Sequence, residues 1–205
     1  MAPTGFDLFS DRSVVAMRVD GVLKDLAATV TGEEVVEPVG IDSPDGLAIL
    51  RHSTAHVLAQ AVQTVNPEAR LGIGPPIEDG FYYDFRIDEP LTPEDLKTIS
   101  KEMERIQRAG QRFVRRVVTE DEARAELAAE PFKLELIGLK GAAADGRDGE
   151  GVEVGAGELT IYDNVDPRTG DTVWKDLCRG PHLPSTRMIG NGWALQRVAG
   201  AYWRG

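Results

Sequence analysis

The chain has 205 residues, a net charge of -11 and 41% hydrophobic residues, a composition typical of globular rather than disordered proteins. Its single cysteine excludes an intrachain disulfide and therefore the disulfide-stapled secreted scaffolds. No apolar run approaches the roughly 18 residues of a membrane-spanning helix, and the N-terminus has no apolar signal-peptide core. A cytoplasmic, reducing compartment is expected, with one large or two small domains.

The negative net charge argues against a nonspecific nucleic-acid binder, but the basic residues are concentrated in two stretches. Residues 101–116 contain six basic and two acidic residues, and residues 174–205 contain five basic residues and one acidic residue. A solvated surface accounts for such stretches as well as an anionic partner does. The charge pattern alone leaves both interpretations open.

The first 42 residues are predicted to form strands. Apolar runs within residues 14–26 flank Asp20 and Gly21, which form a typical two-residue hairpin turn. A further strand is predicted over residues 35–39. A domain boundary is expected near Asp42.

A long helix is predicted directly after this boundary. Ser43 and Pro44 have the residue types preferred at the N-cap and at the first helical position. The helix is expected to continue to about Val65 and to stop before Asn66 and Pro67.

The next segment, residues 71–85, is rich in turn residues and then extended. If its last part is a strand, Phe81, Tyr83 and Phe85 share one face, because side chains alternate along a strand.

Two further helices have clear end signals. The first is predicted from Thr92 to Gly110, a residue type common just after a helix. The second begins at the capping-box pair Thr119 and Glu122 and is expected to end at Pro131.

The C-terminal third is predicted to be mostly extended. Residues 141–157 form a Gly-rich acidic loop, and strands are predicted over 158–162 and around 193–198. The mixture of elements indicates the α+β class with an antiparallel sheet.

His52 and His56 are four residues apart in the first long helix. At about 100° per residue they lie opposite the apolar stripe and are expected to project away from the main core. Two exposed histidines are the simpler explanation of this pair taken alone. The stripe comprises Leu47, Leu50, Val57, Leu58, Ala61, Val62 and Val65.

A second cluster contains Asp176, Cys178 and His182. Gly180 and Pro181 prevent a helix there, so the cluster is expected on a turn. A small buried hydrophobic residue is the alternative role for Cys178.

These two short clusters contain all three histidines and the only cysteine of the chain, which chance placement would rarely produce. The pattern H-x3-H followed by C-x3-H has the ligand types of a tetrahedral zinc site. It equally suits a metal-free hydrolytic site with imidazoles that exchange protons near neutral pH. A cysteine protease would also need an orienting group and an oxyanion hole, which nothing around Cys178 indicates.

Four motifs together resemble the N-terminal region of the bacterial threonyl-tRNA synthetase family. They are HSTAHVLAQAV (52–62), GIGPPIEDGFYYDF (72–85), KDLCRGPH (175–182) and AGAYWRG (199–205). The resemblance implies that residues 1–42 are a partial TGS domain, a β-grasp module without its first hairpin. Residues 43–205 are implied to be the editing domain, an antiparallel sheet packed with helices.

The resemblance also implies the activity. In this family a class II core that uses ATP and zinc follows the last motif, so this chain is expected to be a fragment unable to make threonyl-tRNA. Proofreading remains: hydrolysis of serine misattached to threonine tRNA. Such a step is needed because one methyl group discriminates by only about 1–3 kcal/mol. The fragment is expected to be monomeric and the full enzyme homodimeric.

The family motifs assign the pocket residues. The implied catalytic residues are His52, His56, Lys133, Cys178 and His182, and Tyr83 and Asp176 are implied to bind the substrate. His52 is expected to orient the terminal ribose or a water, Lys133 to face the developing oxyanion, and Asp176 to bind the seryl amine or hydroxyl. Tyr83 is expected on the adenosine side, and Cys178 and His182 are expected to shape the pocket that rejects threonine.

No metal or other cofactor is expected for editing, although related alanyl-type editing domains hold zinc with a similar residue set. Zinc at His52, His56, Cys178 and His182 is therefore the alternative. A zinc-dependent alanyl-type deacylase and a non-catalytic tRNA-binding module are the competing functions.

Contacts with tRNA phosphates are expected from arginines of the two basic stretches, while the acidic 141–157 loop is expected to project away from the tRNA. These arginines are Arg105, Arg108, Arg112, Arg179, Arg187 and Arg204.

Overall fold

The computed structural model describes residues 2–139 and 158–200. The predicted loop at 141–157 and Arg204 lie outside these ranges.

The N-terminal part is a three-stranded antiparallel sheet preceded by one helical turn. Its elements are α1 (Gly5–Leu8), β1 (Val14–Val19), β2 (Val22–Asp25) and β3 (Val36–Gly40). The strand order is β2-β1-β3. Asp20 and Gly21 adopt positive φ angles of 49° and 82°, which confirms the predicted hairpin turn. The assignment of this sheet to a TGS module stays a prediction.

Helix α2 (Pro44–Val65) follows and has the predicted bounds. The Ser43 hydroxyl accepts a hydrogen bond from the Gly46 N–H at 3.1 Å, the expected N-cap contact.

The predicted orientation of α2 is wrong. His52 and His56 are buried, with 9% and 3% exposure, and nearly every side of the middle of the helix is covered. The N-terminal sheet and α3 contribute to the same core as α2, so no solvent face is left there. Leu47 and Val65, assigned to the core stripe, are instead partly exposed, because they lie near the two ends of the helix.

The segment after α2 contains four strands of two residues each. They are β4 (Arg70–Leu71), β5 (Pro76–Ile77), β6 (Gly80–Phe81) and β7 (Phe85–Arg86). β4 pairs with β7 and β5 with β6, so no continuous strand joins Phe81 to Phe85. The Tyr83 and Phe85 rings nevertheless stack, with centroids 4.9 Å apart.

The two predicted capping signals are confirmed. Helix α3 (Pro93–Ala109) ends at Gly110, which has a left-handed φ of 66°, and α4 (Glu120–Glu126) starts with the Thr119–Glu122 capping box. The role predicted for Pro131 is wrong, since it begins α5 (Pro131–Leu139). Proline suits a first helical position because the missing N–H has no intrahelical partner there.

The second sheet is also antiparallel. It comprises β8 (Arg112–Val118), β9 (Leu159–Val165) and β10 (Thr172–Leu177) in the order β10-β9-β8. The predicted strand at 158–162 is confirmed and extends further, and β9 is buried along its whole length. The predicted strand at 193–198 is wrong, because the chain is irregular there.

Strands β8 and β10 were not predicted because charged residues conceal their pattern. A short 3-10 helix, Thr186–Ile189, follows β10. The α+β class with antiparallel sheets is confirmed. Within the described ranges, no helix is long and apolar enough to cross a membrane.

The largest core cluster joins the two sheets. Val15 and Val39 of the N-terminal sheet, Val57 of α2 and Tyr162 of β9 all belong to it. The chain crosses the boundary predicted near Asp42 between β3 and α2, and the residues on the two sides share this core.

Candidate active site

Two histidines and the cysteine meet inside the protein. The Cys178 Sγ lies 3.1 Å from His52 Nε2 and 3.3 Å from His182 Nε2. Cys178 and His182 are 2% and 1% exposed. The two sequence clusters, more than 120 residues apart, therefore form one enclosed group.

The turn after β10 places the side chains of Cys178 and His182 against α2. It contains a cis Gly180–Pro181 peptide bond, and the Gly180 N–H donates to the Cys178 Sγ at 3.3 Å. Gly180 has φ +68°, and a Cβ atom there would lie 1.8 Å from the Tyr162 hydroxyl. Only glycine fits this position without displacing its neighbours.

Ser53 orients the ring of His182. Its hydroxyl oxygen accepts from the Leu183 N–H at 3.0 Å and lies 3.0 Å from His182 Nδ1. Ser53 therefore ties the backbone after His182 and the Nδ1 side of its ring to α2. The other ring nitrogen, Nε2, is left facing the Cys178 sulfur.

All three histidines are held neutral. Burial, assisted by the nearby Lys133 charge, lowers the pKa of His52 to about 4. Burial also holds the pKa values of His56 and His182 well below their ordinary value, assisted by the neighbouring imidazoles. A group with a pKa near 4 takes up few protons at pH 7, so His52 is better suited to orient a water than to remove its proton.

Lys133, Asp176 and Tyr83 form a second polar group. The Lys133 Nζ lies 3.2 Å from Asp176 Oδ1, and the Tyr83 hydroxyl donates to Asp176 Oδ2 at 2.5 Å. Lys133 and Asp176 are 0% and 1% exposed. Burial raises the pKa of Asp176 and the Lys133 charge opposes that rise.

The strand geometry joins the two groups into one site. Asp176 lies two residues before Cys178, and side chains two apart along an extended chain share a face. The Lys133 charge also acts on His52 and His56. The structure thus brings together all seven residues that the family motifs assign to the pocket, whose chemical roles stay predictions.

His56 lies among aromatic rings rather than against Cys178. Its ring centroid is 4.7 Å from that of Trp174, 5.4 Å from Phe113 and 4.5 Å from His182. Its Nε2 is buried and has no hydrogen-bond partner among the described residues. The side chain of Asn164 nevertheless acts on the His56 ring and opposes the fall of its pKa.

Several residues that support the site were missed from the sequence. They are Asp25, Ser53, Phe113, Tyr162 and Trp174. Ser53 lies within the first recognised motif and Trp174 directly precedes the third, which is a usable signal. Asp25 and Tyr162 carry no such signal, because they reach the site only through the fold.

The donor types fit a metal in part. His52, Cys178 and His182 offer ligand atoms within 4.8 Å of one another, the Cys/His set of a zinc site with one open position. Tetrahedral zinc separates such donors by about 3.5 Å, given bonds of about 2.3 Å to sulfur and 2.0 Å to nitrogen. The observed 3.1 and 3.3 Å would have to widen slightly.

The described arginines that are predicted to meet tRNA lie on several elements. Arg187 donates to the Arg108 carbonyl oxygen at 3.2 Å, which brings the end of α3 and the 3-10 helix together. Arg105 lies one turn earlier and pairs with Glu102 at 2.6 Å. Arg179 is exposed on the pocket turn and Arg112 is exposed at the start of β8.

Comparison with known proteins identifies the family. The chain is 78% identical over 204 residues to a threonine–tRNA ligase of Leifsonia xyli and 66% identical over 203 residues to that of Streptomyces avermitilis. Each match covers 98% of this chain. The chain belongs to the threonyl-tRNA synthetase family.

The chain covers only part of the length of these relatives, and one segment of it matches a family model. The chain spans 29% and 30% of the length of those two relatives. Residues 159–192 match the model of the threonyl and alanyl tRNA synthetase second additional domain. This matched segment includes Asp176, Cys178 and His182.

Proposed function

We propose that this chain hydrolyses the ester of serine misattached to threonine tRNA. The main support is the enclosed His52–Cys178–His182 group beside the Lys133–Asp176 pair, located partly in the matched synthetase segment. A small closed pocket discriminates by exclusion: it admits serine and rejects the extra methyl of threonine by a clash, the reverse of the discrimination possible by binding alone.

The reaction is attack of water on the ester carbonyl. A bond forms between the water oxygen and the carbonyl carbon, the bond to the ribose oxygen breaks, and the ribose oxygen takes up a proton. His52 orients the water through its ring nitrogen, which stays neutral at pH 7. Cys178 and His182 form the wall that excludes the threonine methyl.

Lys133 and Asp176 act in succession. In the free protein the two charges neutralise each other at 3.2 Å. The seryl ammonium pairs with Asp176 when substrate binds, which frees the Lys133 charge for the developing oxyanion. Tyr83 then holds the adenosine side of the substrate.

Single variants test this function. Because these residues align water and stabilise the oxyanion, we expect His52→Ala and Lys133→Ala to lower seryl-tRNA deacylation by about 100-fold or more. Parallel assays with seryl- and threonyl-tRNA measure rate and selectivity. Lys24→Ala, an exposed change in β2, is the control. Undiminished deacylation by both pocket variants would exclude the mechanism.

A zinc-dependent deacylase of the alanyl type is the second candidate, supported by the three-donor group. Zinc bound by His52, Cys178 and His182 would supply an activated water. In the metal-free form we expect deacylation to survive chelation. Stoichiometric zinc in the purified protein, lost together with activity on chelation, would establish the zinc form instead.

The remaining proposals concern partners and setting. The partner is threonine tRNA, and the chain acts in the cytoplasm, as a monomer by itself and within a homodimer in the full enzyme. Aminoacylation, with its ATP and zinc, belongs to the part of the relatives outside this chain's match. Tight tRNA binding without any deacylation would favour a non-catalytic binding module.

A further inference from the structure

A carboxylate from the N-terminal sheet reaches the pocket turn. Asp25 is the last residue of β2, yet its Oδ1 accepts from the backbone N–H of His182 at 3.0 Å. Its Oδ2 accepts from the Tyr162 hydroxyl at 2.7 Å. One side chain therefore links three elements: β2, β9 and the turn after β10.

Both bonds constrain the atoms of the site. The first holds the backbone of His182 directly. The second holds Tyr162, whose hydroxyl lies against Gly180 and whose ring meets that of His182 edge-on at 4.6 Å. The turn that presents Cys178 and His182 is thus held at its backbone by Asp25 and against its Gly180 by the buried Tyr162 side chain.

Placing the Asp25 carboxylate here costs free energy that an apolar side chain at the same position would not. Burial raises the pKa of Asp25 against the effect of its two hydrogen bonds, so its charged form is disfavoured in this position. An apolar side chain would fill the same space without that cost. Unlike an apolar side chain, the carboxylate fixes the positions of two specific groups, because each of its oxygens accepts a hydrogen bond from a defined donor.

We infer that Asp25 is a positioning residue for deacylation: through the His182 N–H and the Tyr162 hydroxyl it holds Cys178 Sγ and His182 Nε2 where they contact the substrate. The inference rests on the proposed function. Through Asp25, the N-terminal sheet then contributes to the geometry of the editing pocket. Asp25 itself does not touch the reacting atoms.

The kinetic test compares Asp25→Ala with Asp25→Asn. A misplacement of about 1 Å lowers a rate by about 100-fold, so we expect kcat on seryl-tRNA to fall about 10- to 100-fold in Asp25→Ala. KM should change by less than about twofold, because the tRNA phosphates are expected to be bound by arginines of other elements. Asp25→Asn should recover part of kcat, since its carbonyl still accepts from the His182 N–H. Asp42→Asn, an exposed change of equal charge in the same part of the chain, is the control.

A second measurement does not depend on activity. Cys178 is the only cysteine and is buried, so its alkylation by iodoacetamide reports how firmly the turn is held. We expect alkylation to be about 10-fold faster in Asp25→Ala, in line with a lost supporting contact, and unchanged in Asp42→Asn. Tyr162→Phe should speed it less, and Asp25→Ala with Tyr162→Phe should add little to Asp25→Ala alone.

The kinetic and alkylation measurements distinguish failure of the proposed deacylation from failure of the positioning role of Asp25. If the wild-type chain does not deacylate seryl-tRNA, the proposed function fails and the thiol rate alone decides the positioning role. Unchanged kcat and unchanged alkylation in folded Asp25→Ala would overturn that role. Should Asp25→Ala unfold, Asp25→Asn and Tyr162→Phe provide the same comparison in milder form.

Discussion

Single residues in the pocket turn are constrained by contacts from several directions. Cys178 accepts from the Gly180 N–H, its own N–H donates to the Thr160 carbonyl at 3.1 Å, and its carbonyl accepts from the Thr160 hydroxyl. Gly180 lies against Tyr162 with no room for a side chain. The geometry of the site therefore depends on the absence of a side chain at Gly180.

A glycine comparison measures this constraint. Gly180→Ala places a methyl group 1.8 Å from the Tyr162 hydroxyl at a φ of +68°, whereas Gly170→Ala has φ +81° and no atom within 4 Å. We expect Gly170→Ala to cost about 1 kcal/mol, from backbone strain alone. Gly180→Ala should cost about 2–4 kcal/mol, because overpacking adds to the strain.

Urea denaturation of the two variants provides the measurement. Deacylation should fall only in Gly180→Ala, since Gly170 lies in the exposed turn between β9 and β10. Equal losses of stability in the two variants would show that Tyr162 moves aside and that the turn is not held rigidly.

Among the elements, α3 bears most directly on RNA binding. Arg105 and Arg108 pair with Glu102 and Glu104 of the same helix, so part of their charge is already balanced. Arg187 adds a third guanidinium beside Arg108. Among the described residues, Arg105, Arg108 and Arg187 bring three of the predicted tRNA-binding arginines to the C-terminal end of α3.

Charge reversal on α3 tests this surface. We expect Arg105→Glu with Arg108→Glu to weaken binding of threonine tRNA and to lower the slope of log K against log salt by about 1–2, because each phosphate contact contributes slightly less than 1. Arg168→Glu, in the exposed turn between β9 and β10, should change neither. Filter binding from low to moderate salt measures both quantities, and an unaltered slope in the α3 variant would remove this surface from the tRNA interface.

At the scale of the whole molecule, the three histidines are buried because two sheets and two helices close around them. The folded-state pKa values of all three are lowered, that of His52 to about 4. The unfolded chain therefore binds protons that the folded chain does not. Their contribution to stability is complete above the ordinary histidine pKa of about 6.5 and is lost as pH falls from there toward 4.

Acid titration of stability tests this linkage. We expect the free energy of unfolding to fall below pH 6.5, with up to about 1.4 kcal/mol per pH unit from each histidine. His56→Leu should lower that slope by one such contribution, and urea denaturation at pH 7.5, 6.5 and 5.5 measures it. Buried and partly buried carboxyls with a raised pKa act in the opposite direction, so only the difference between variant and wild type isolates His56. These carboxyls are Asp25, Asp84, Glu130 and Asp176. Parallel pH profiles would contradict the burial of neutral His56.

Features that depend only on neighbours along the chain could be predicted from the sequence. The caps at Ser43, Thr92 and Thr119 and the Asp20–Gly21 turn were predictable, because a cap or a tight turn is satisfied within a few residues. The residues that meet in the pocket were predictable by motif, although their contacts were not.

Burial and long-range contacts, in contrast, became apparent only in the folded protein. The histidines of α2 appeared to face solvent, because helical periodicity defines a second face but not what covers it. Strands β8 and β10 went unpredicted, since strand preference depends on neighbouring strands rather than on the segment itself. The contact of Asp25 with His182 joins residues 157 positions apart, and no local pattern encodes such a pair. The pocket is complete only when the N-terminal sheet closes against the turn after β10.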